Sequence, residues 1–374
     1  MSGLLSIKKI NLLFCLVLLY FCIPKIDLFM IPGTLTGFRF QDIISACVFF
    51  LLLNGSVKPN SVKLLILLVL HALYSILFWE NFQSALGIIR FIEYYAIALG
   101  LCYLARAGMF PKFLKVSFFY LAVLSILQFL LLVPNVDPGR GLVISHEFSG
   151  SFGTPAELSY FIVTSLFLLS IVDRKLSGYS FLSIAVLLNG VKAPALSFVV
   201  LYWDILKKIN AIAALFLFVI MCIFIYIVRE NIFLGSQMLD IVVTNITTAN
   251  AGFDDLKSGS SMMSESSGTL SHRIGKWTNS LSLMYQHPLG LLFGFGIYSQ
   301  GGAVDGGILR FVYEFGLIVS IIMIQKLNKL SFVFLLFVLS VNLLFDAFMS
   351  SVVMPLLITA FICLLDKKNR QETS

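Results

Sequence analysis

The sequence predicts an all-α fold: one polytopic membrane bundle of about twelve transmembrane helices with two larger extracytoplasmic loops. Three observations predict it. Apolar residues make up 59% of the 374-residue chain and only 12% are charged, whereas a water-soluble globule carries about 25% charged residues. The mean hydropathy is +0.97, and the apolar residues fall into repeated runs close to the ~20 residues a span needs. Lysine and arginine gather in the short connections between alternate runs. Lipid offers no partner to a backbone N–H or C=O, so each run must satisfy its own and reads as a helix. No composition shift divides the chain, so residues 1–374 form a single integral membrane domain.

Taken in order, the expected spans are 10–31, 40–53, 64–79, 84–106, 113–133, 156–172, 179–191, 195–206, 211–228, 306–324, 331–348 and 350–365. The seventh and eighth are short and flank Pro194 in NGVKAPAL, which suits a tight hairpin with broken helical ends. Lys8 and Lys9 precede an apolar run without a small-residue cleavage site, so the first span is expected to be retained. A cytoplasmic N-terminus puts 16 of the 26 basic residues in inward loops, among them Arg106, Lys112, Lys329 and Lys368, and places both termini inside. The net charge of +7 is then a topology signal and gives no reason to expect nucleic acid. All six cysteines fall within expected spans, with no CxxC pair, and the acidic residues show no ligand spacing; neither disulfide nor metal is expected. No cofactor is implied.

Two outward loops stand out. Residues 134–157, PNVDPGRGLVISHEFSGSFGTPAE, carry Arg140, His146, Glu147 and Glu157. Residues 229–305 begin with an amphipathic stretch suited to an interface and pass through a Ser/Gly connector at 258–268. A helix over 271–286 is expected to follow. Ser271 can cap it, and Leu270, Ile274, Trp277, Leu281 and Met284 form a stripe that can pack on the membrane domain. Arg273, Lys276 and Ser280 share the neighbouring face, where an anion can meet fixed cations. Pro288 ends the helix, and Gly290, Gly294 and Gly296 turn the chain back toward the next span.

Charge inside the apolar runs is biased to one leaflet. Three inward-running spans each start with an Arg and an acid one turn later: Arg39 with Asp42, Arg90 with Glu93, Arg310 with Glu314. Such pairs face the same side and can neutralise themselves. Asp346 and Lys192 are expected at the same depth, and His71 reads as a packed, hydrogen-bonded core residue. Charge at outer headgroup depth suits an anion that keeps a hydrocarbon tail in the bilayer, such as a lipid-linked pyrophosphate, which guanidinium groups bind bidentately. A glycan on it would project into the two polar loops.

The stretch SHRIGKWTNSLSLMYQHPLGLLFGFG (271–296), followed by VDGGILRFVYEFGLIVSI (304–321), resembles the C-terminal signature of the Wzy-type O-antigen polymerase and O-antigen ligase superfamily. That signature has a Ser-x-Arg-x-x-x-Trp helix, a Pro then Gly-x-Gly turn, a short polar motif and an amphipathic span. FRFQDI at the second span, LLNGVKAPAL and the two-loop layout extend the likeness, of which 271–318 is the specific part. Where the ligase pattern has His-Asn before the tenth span, this chain has Asp305-Gly306, and Lys192 stands where relatives carry Arg. Those departures favour the polymerase branch.

The resemblance implies metal-independent glycosyl transfer between two polyprenyl-pyrophosphate-linked oligosaccharides at the periplasmic face of a bacterial inner membrane. A hydroxyl of one repeat unit attacks the anomeric carbon of the other, and developing charge on the leaving pyrophosphate needs fixed cations. Arg273 and Arg140 are the first candidates for that role, then Lys192, Arg310 and Arg90. Asp305, in place of the motif histidine, is the first candidate to take the hydroxyl proton, with Glu147 and His146 as rivals. Lys276, Trp277 and His272, with Glu314, complete the set of expected pyrophosphate or glycan contacts. Expected partners are the lipid-linked oligosaccharides, membrane lipids, a chain-length regulator and a flippase. An O-antigen ligase or a lipid-linked oligosaccharide flippase are the alternative readings.

Overall fold

The computed structural model describes residues 7–25, 27–30, 37–53, 59–137, 141–143, 150–152, 154–172, 194–202, 269–297, 299 and 306–373. They are mostly helical. Four helices among them, Gln83–Arg106, Phe110–Phe129, Pro155–Val172 and Gly307–Leu330, are long and apolar enough to cross a membrane. The expected seventh and ninth spans, the interfacial stretch after residue 229 and the connector at 258–268 lie outside the described residues.

Helix α1 (Ile7–Cys22) is shorter than the expected span 10–31. Pro24 cannot continue it, and Lys25 and Asp27 would be unpaired ions in lipid, so the chain turns into an antiparallel pair, β1 (Asp27–Met30) with β2 (Gly37–Arg39). Helices α2 (Phe40–Leu53), α3 (Pro59–Trp79) and α4 (Gln83–Arg106) follow the expected spans closely. In α5 (Phe110–Phe129) the expected end at 133 comes early, because Leu131 takes a left-handed conformation at φ 59°. The first long loop contains a second antiparallel pair, β3 (Asn135–Asp137) with β4 (Gly141–Val143). Next come α6 (Pro155–Val172), α7 (Ala195–Leu201), α8 (Thr269–Gln286), α9 (Pro288–Phe293), α10 (Gly307–Leu330), α11 (Phe332–Leu344) and α12 (Val353–Thr373). The fold is therefore helical with two small β pairs in its loops.

Helix α12 packs against both α4 and α6, and α4 packs against α1 and α2. Leu13, Val17, Val48, Ile97, Leu101, Phe161, Leu166, Phe337 and Leu356 belong to the apolar core these helices share. Helices α4 and α12 run parallel: Thr359 Oγ1 donates to the Ala98 carbonyl at 3.2 Å, and two turns on Arg106 pairs with Asp366. That end of the bundle is basic, since Lys368 Nζ also donates to the Lys329 carbonyl at 3.0 Å. The opposite end holds the N-termini of α2, α4, α6, α10 and α12 and the C-terminus of α1.

Two breaks shape that opposite end. Expected span 331–348 stops as a helix at Leu344; residues 345–352 run through a 3-10 turn, Ala347–Met349, before α12 begins. Helix α10, expected to end at 324, continues to Leu330 and is interrupted at Gly316, φ 82° and ψ 166°. Carbonyls loosened by this kink are taken by the Gly-Phe-Gly segment after α9: Phe295 N donates to Tyr313 O at 2.9 Å and Gly296 N to Glu314 O at 3.0 Å. On its other side Ser75 Oγ donates to Phe295 O at 2.9 Å, and Asn81 Nδ2 and Ser84 Oγ donate to Ile297 O at 3.1 Å each. Pro288 thus ends α8 as expected but also opens α9, and the glycines form a clamp between α3, α4 and α10 in addition to turning the chain.

The clamp leaves no room for a side chain. A Cβ on Gly294, φ +85°, would lie 2.2 Å from the Glu314 carbonyl oxygen, whereas one on Gly108, φ +69°, meets nothing within 4 Å. Gly108→Ala should therefore cost only the left-handed penalty, about 1–2 kcal/mol. Gly294→Ala should cost clearly more, about 3 kcal/mol or above, because backbone must also shift. Thermal unfolding of both variants in detergent checks this ordering.

Candidate functional site

Arg90 lies on α4 one turn before Glu93, so the two side chains meet: Nη1 donates to Glu93 Oε2 at 2.8 Å. The same nitrogen pairs with Asp42 Oδ1 of α2, and Nη2 donates to the Gly37 carbonyl at 2.6 Å. Asp42 Oδ2 accepts from the Arg39 backbone N–H at 2.7 Å, which caps the start of α2. The expected Arg39–Asp42 ion pair is thus replaced by a backbone bond from Arg39 and a longer-range pair with Arg90. Glu93 Oε1 accepts from the Tyr20 hydroxyl at 3.0 Å, and that hydroxyl is also 3.0 Å from the Ser351 carbonyl. This first cluster ties α1, α2 and α4 to the break before α12.

Arg310 forms the second cluster. Its Nε donates to Glu314 Oε1 at 2.9 Å, the expected one-turn pair, and its Nη1 donates to Asp346 Oδ2 at 2.7 Å. All three are buried, with side-chain exposures of 2%, 1% and 5%. Asp346, expected near the outer end of its span, lies just past the helical end of α11, within the break. The third cluster was not legible as a pair: Lys25 Nζ donates to both oxygens of Glu157, at 2.6 and 2.8 Å, and Ser350 Oγ donates to Glu157 Oε1 at 3.0 Å. The one sequence signal for it was a lysine inside an apolar run, just after Pro24.

The break at 345–352 therefore joins all three clusters. It supplies Asp346 to Arg310, Ser350 to Glu157 and the Ser351 carbonyl to Tyr20. Phe345 also accepts from the Gly307 N–H at 3.1 Å and stacks on Tyr160, with ring centres 4.4 Å apart.

Helix α8 arrives beside this assembly. It spans Thr269–Gln286, two residues earlier at its start than expected, and Ser280, Ser282, Leu283 and Met284 are buried. The expected apolar stripe packs through Leu281 and Met284 onto Phe295 and Tyr313. Trp277 lies at the start of α10: a Cβ on Gly306 would be 3.2 Å from its Nε1. Arg273 is one helical turn before Trp277, with His272 and Lys276 on the same first turns; the side chains of these three lie outside the described residues. Arg140, His146, Glu147, Lys192 and Asp305 also lie outside them, Arg140 in the connection between β3 and β4.

Each of the Arg90 and Arg310 guanidinium groups is engaged by two carboxylates, which orient it. Glu314 is in turn committed to Arg310. His71, expected as a packed core residue, is only half-buried; its Nε2 is 3.3 Å from the Phe293 carbonyl and its ring stacks on Phe315. Among the described residues no group of three His, Cys, Asp or Glu could hold a metal ion. No family model, curated protein or solved structure matches the chain.

Breaking a buried ion cluster by removing one member costs about 3–5 kcal/mol, since the remaining charge is stranded. Arg90→Met should destabilise by that amount. Adding Asp42→Asn and Glu93→Gln should recover more than half of it, because no bare carboxylate then remains. Thermal unfolding of the single and triple variants measures the difference.

Proposed function

We propose that this chain is a membrane glycosyltransferase that polymerises lipid-linked oligosaccharide repeat units. Its substrates are polyprenyl-pyrophosphate-linked, of the undecaprenyl type, and its product is an O-antigen or related surface polysaccharide. In this reading the bundle has about twelve spans, lies in a bacterial inner membrane with both termini in the cytoplasm, and works at the periplasmic face.

The observation that carries the reading is the gathering of every intramembrane ion cluster described above at one end of the bundle, beside the helix that bears Ser271, Arg273 and Trp277. A substrate with a hydrocarbon tail and a charged head meets a protein of this kind at headgroup depth. The opposite end is basic, which by the positive-inside bias supports taking it as the cytoplasmic one. The one-ended distribution also weighs against a flippase, whose charged cavity must serve both faces in turn.

In the proposed reaction Arg273 and Arg140, with Lys192 and Lys276, hold the pyrophosphate and stabilise the charge it gains on leaving. Arg90 and Arg310 keep the helices that frame the site in register. Trp277, wedged on Gly306, fixes the height of Arg273 relative to α10. The sequence likeness to the polymerase branch, and Asp305 in place of the ligase histidine, support transfer to a second lipid-linked unit over transfer to a lipid A core.

Loss of the gene should leave surface glycan with a single repeat unit, whereas loss of a ligase would leave long lipid-linked chains. Arg273→Ala should abolish chain growth at unchanged membrane abundance, and Arg273→Lys should recover little, since a guanidinium fork is required. Glycan ladders on gels read both; normal ladders from Arg273→Ala would overturn the assignment.

A further inference from the structure

The three ion clusters differ in one respect that bears on chemistry. In the first, both oxygens of Asp42 and both of Glu93 hold donors. In the third, both oxygens of Glu157 do. In the second, Asp346 Oδ2 accepts from Arg310 but Oδ1 is buried with no partner. One helical turn earlier, Asn342 repeats the pattern: its Nδ2 donates to the Val338 carbonyl at 2.9 Å, while its Oδ1 is buried and unpartnered. That oxygen faces the start of α10, where a Cβ on Gly307 would lie 2.2 Å from it.

An open buried acceptor costs about 1–3 kcal/mol unless something donates to it. Two such acceptors are present here, on residues 5% and 1% exposed. Sugar hydroxyls are donors.

We infer that Asp346 is the general base of the transfer reaction and that its Oδ1 receives the proton of the attacking hydroxyl; this rests on the glycosyl-transfer reading above. As the hydroxyl oxygen bonds to the anomeric carbon, its O–H bond breaks and the proton passes to Asp346 Oδ1. The bond from the anomeric carbon to the pyrophosphate oxygen breaks, and its electron pair leaves with the lipid pyrophosphate. Asp346 then returns its proton to water. Arg310 holds the carboxylate through Oδ2 and leaves Oδ1 unpaired for the proton. Among the described residues the titratable groups that meet the break are Arg310 and Glu314 of α10, Tyr20 of α1, and Glu157 of α6 with its partner Lys25; α11 and the first turns of α12 contribute none.

Asp346→Asn keeps the shape and an acceptor for Arg310 but cannot take the proton. Chain growth in membranes carrying this variant should fall at least about 100-fold, the lower range for loss of a general base. Retention of radiolabelled lipid-linked repeat unit on the purified protein should change less than about twofold. Asp346→Glu should restore part of the growth. If Asp346→Asn grows chains normally while Arg273→Ala does not, the base is elsewhere and glycosyl transfer stands. Loss of substrate retention together with growth would make Asp346 a binding or packing residue and overturn the assignment. Normal growth in both variants and in a deletion strain would overturn the glycosyl-transfer reading itself. Should the amide variant fail to accumulate, Asp346→Ala supplied with formate decides the matter: recovered growth supports the base, and absence of recovery overturns it.

Discussion

An ion placed in hydrocarbon must bring its counter-ion with it, and the arrangement at one end of this bundle follows from that constraint. Arg90, Arg310 and Lys25 come from α4, α10 and the turn after α1, and each is met by carboxylate from another element. The pairing cannot be made within single helices alone, so neighbours are held at fixed heights. The segment 345–352 has a central part because it is not helical. A regular helix would use its own carbonyls; here Phe345 O and Ser351 O are released to accept from Gly307 N and Tyr20 Oη. Irregular backbone at this depth is tolerated where protein surrounds it.

The kink at Gly316 works by the same rule and connects a second region to the first. Its freed carbonyls are bonded by the Gly-Phe-Gly segment, so Glu314 is gripped twice, through its backbone by Gly296 and through its carboxylate by Arg310. A mechanical line then runs from α8, through α9 and the clamp, to Glu314, Arg310 and Asp346. Movement of α8 against the bundle would be felt at the triad, because the clamp has no slack for even a methyl group. Sequence spacing assigned the glycines to a turn; their closeness to Glu314, Ser75 and Ser84 is a tertiary fact with no local signature.

What was legible in the sequence was whatever has a local period or a local cost. The apolar runs fixed the helices from α2 to α6 within a few residues, the stripe from Trp277 to Met284 located α8, and the one-turn pairs Arg90–Glu93 and Arg310–Glu314 are present as spacing requires. The failures share a cause. Asp42 could pair with Arg39 three residues away or with Arg90 forty-eight residues away, and only the packing of α2 on α4 selects the second. Lys25 with Glu157 spans 132 residues and could not be proposed from either position. The second carboxylate at each of Arg90 and Arg310 likewise arrives from a distant element.

The sign of the buried charge bears on where a diphosphate can sit. Within the described clusters carboxylates outnumber cations, two to one around Arg90 and two to one around Arg310. A pyrophosphate moving down among them would meet surplus negative charge in a medium that screens it poorly. The surplus therefore favours hydrogen-bond donors over anions among these helices.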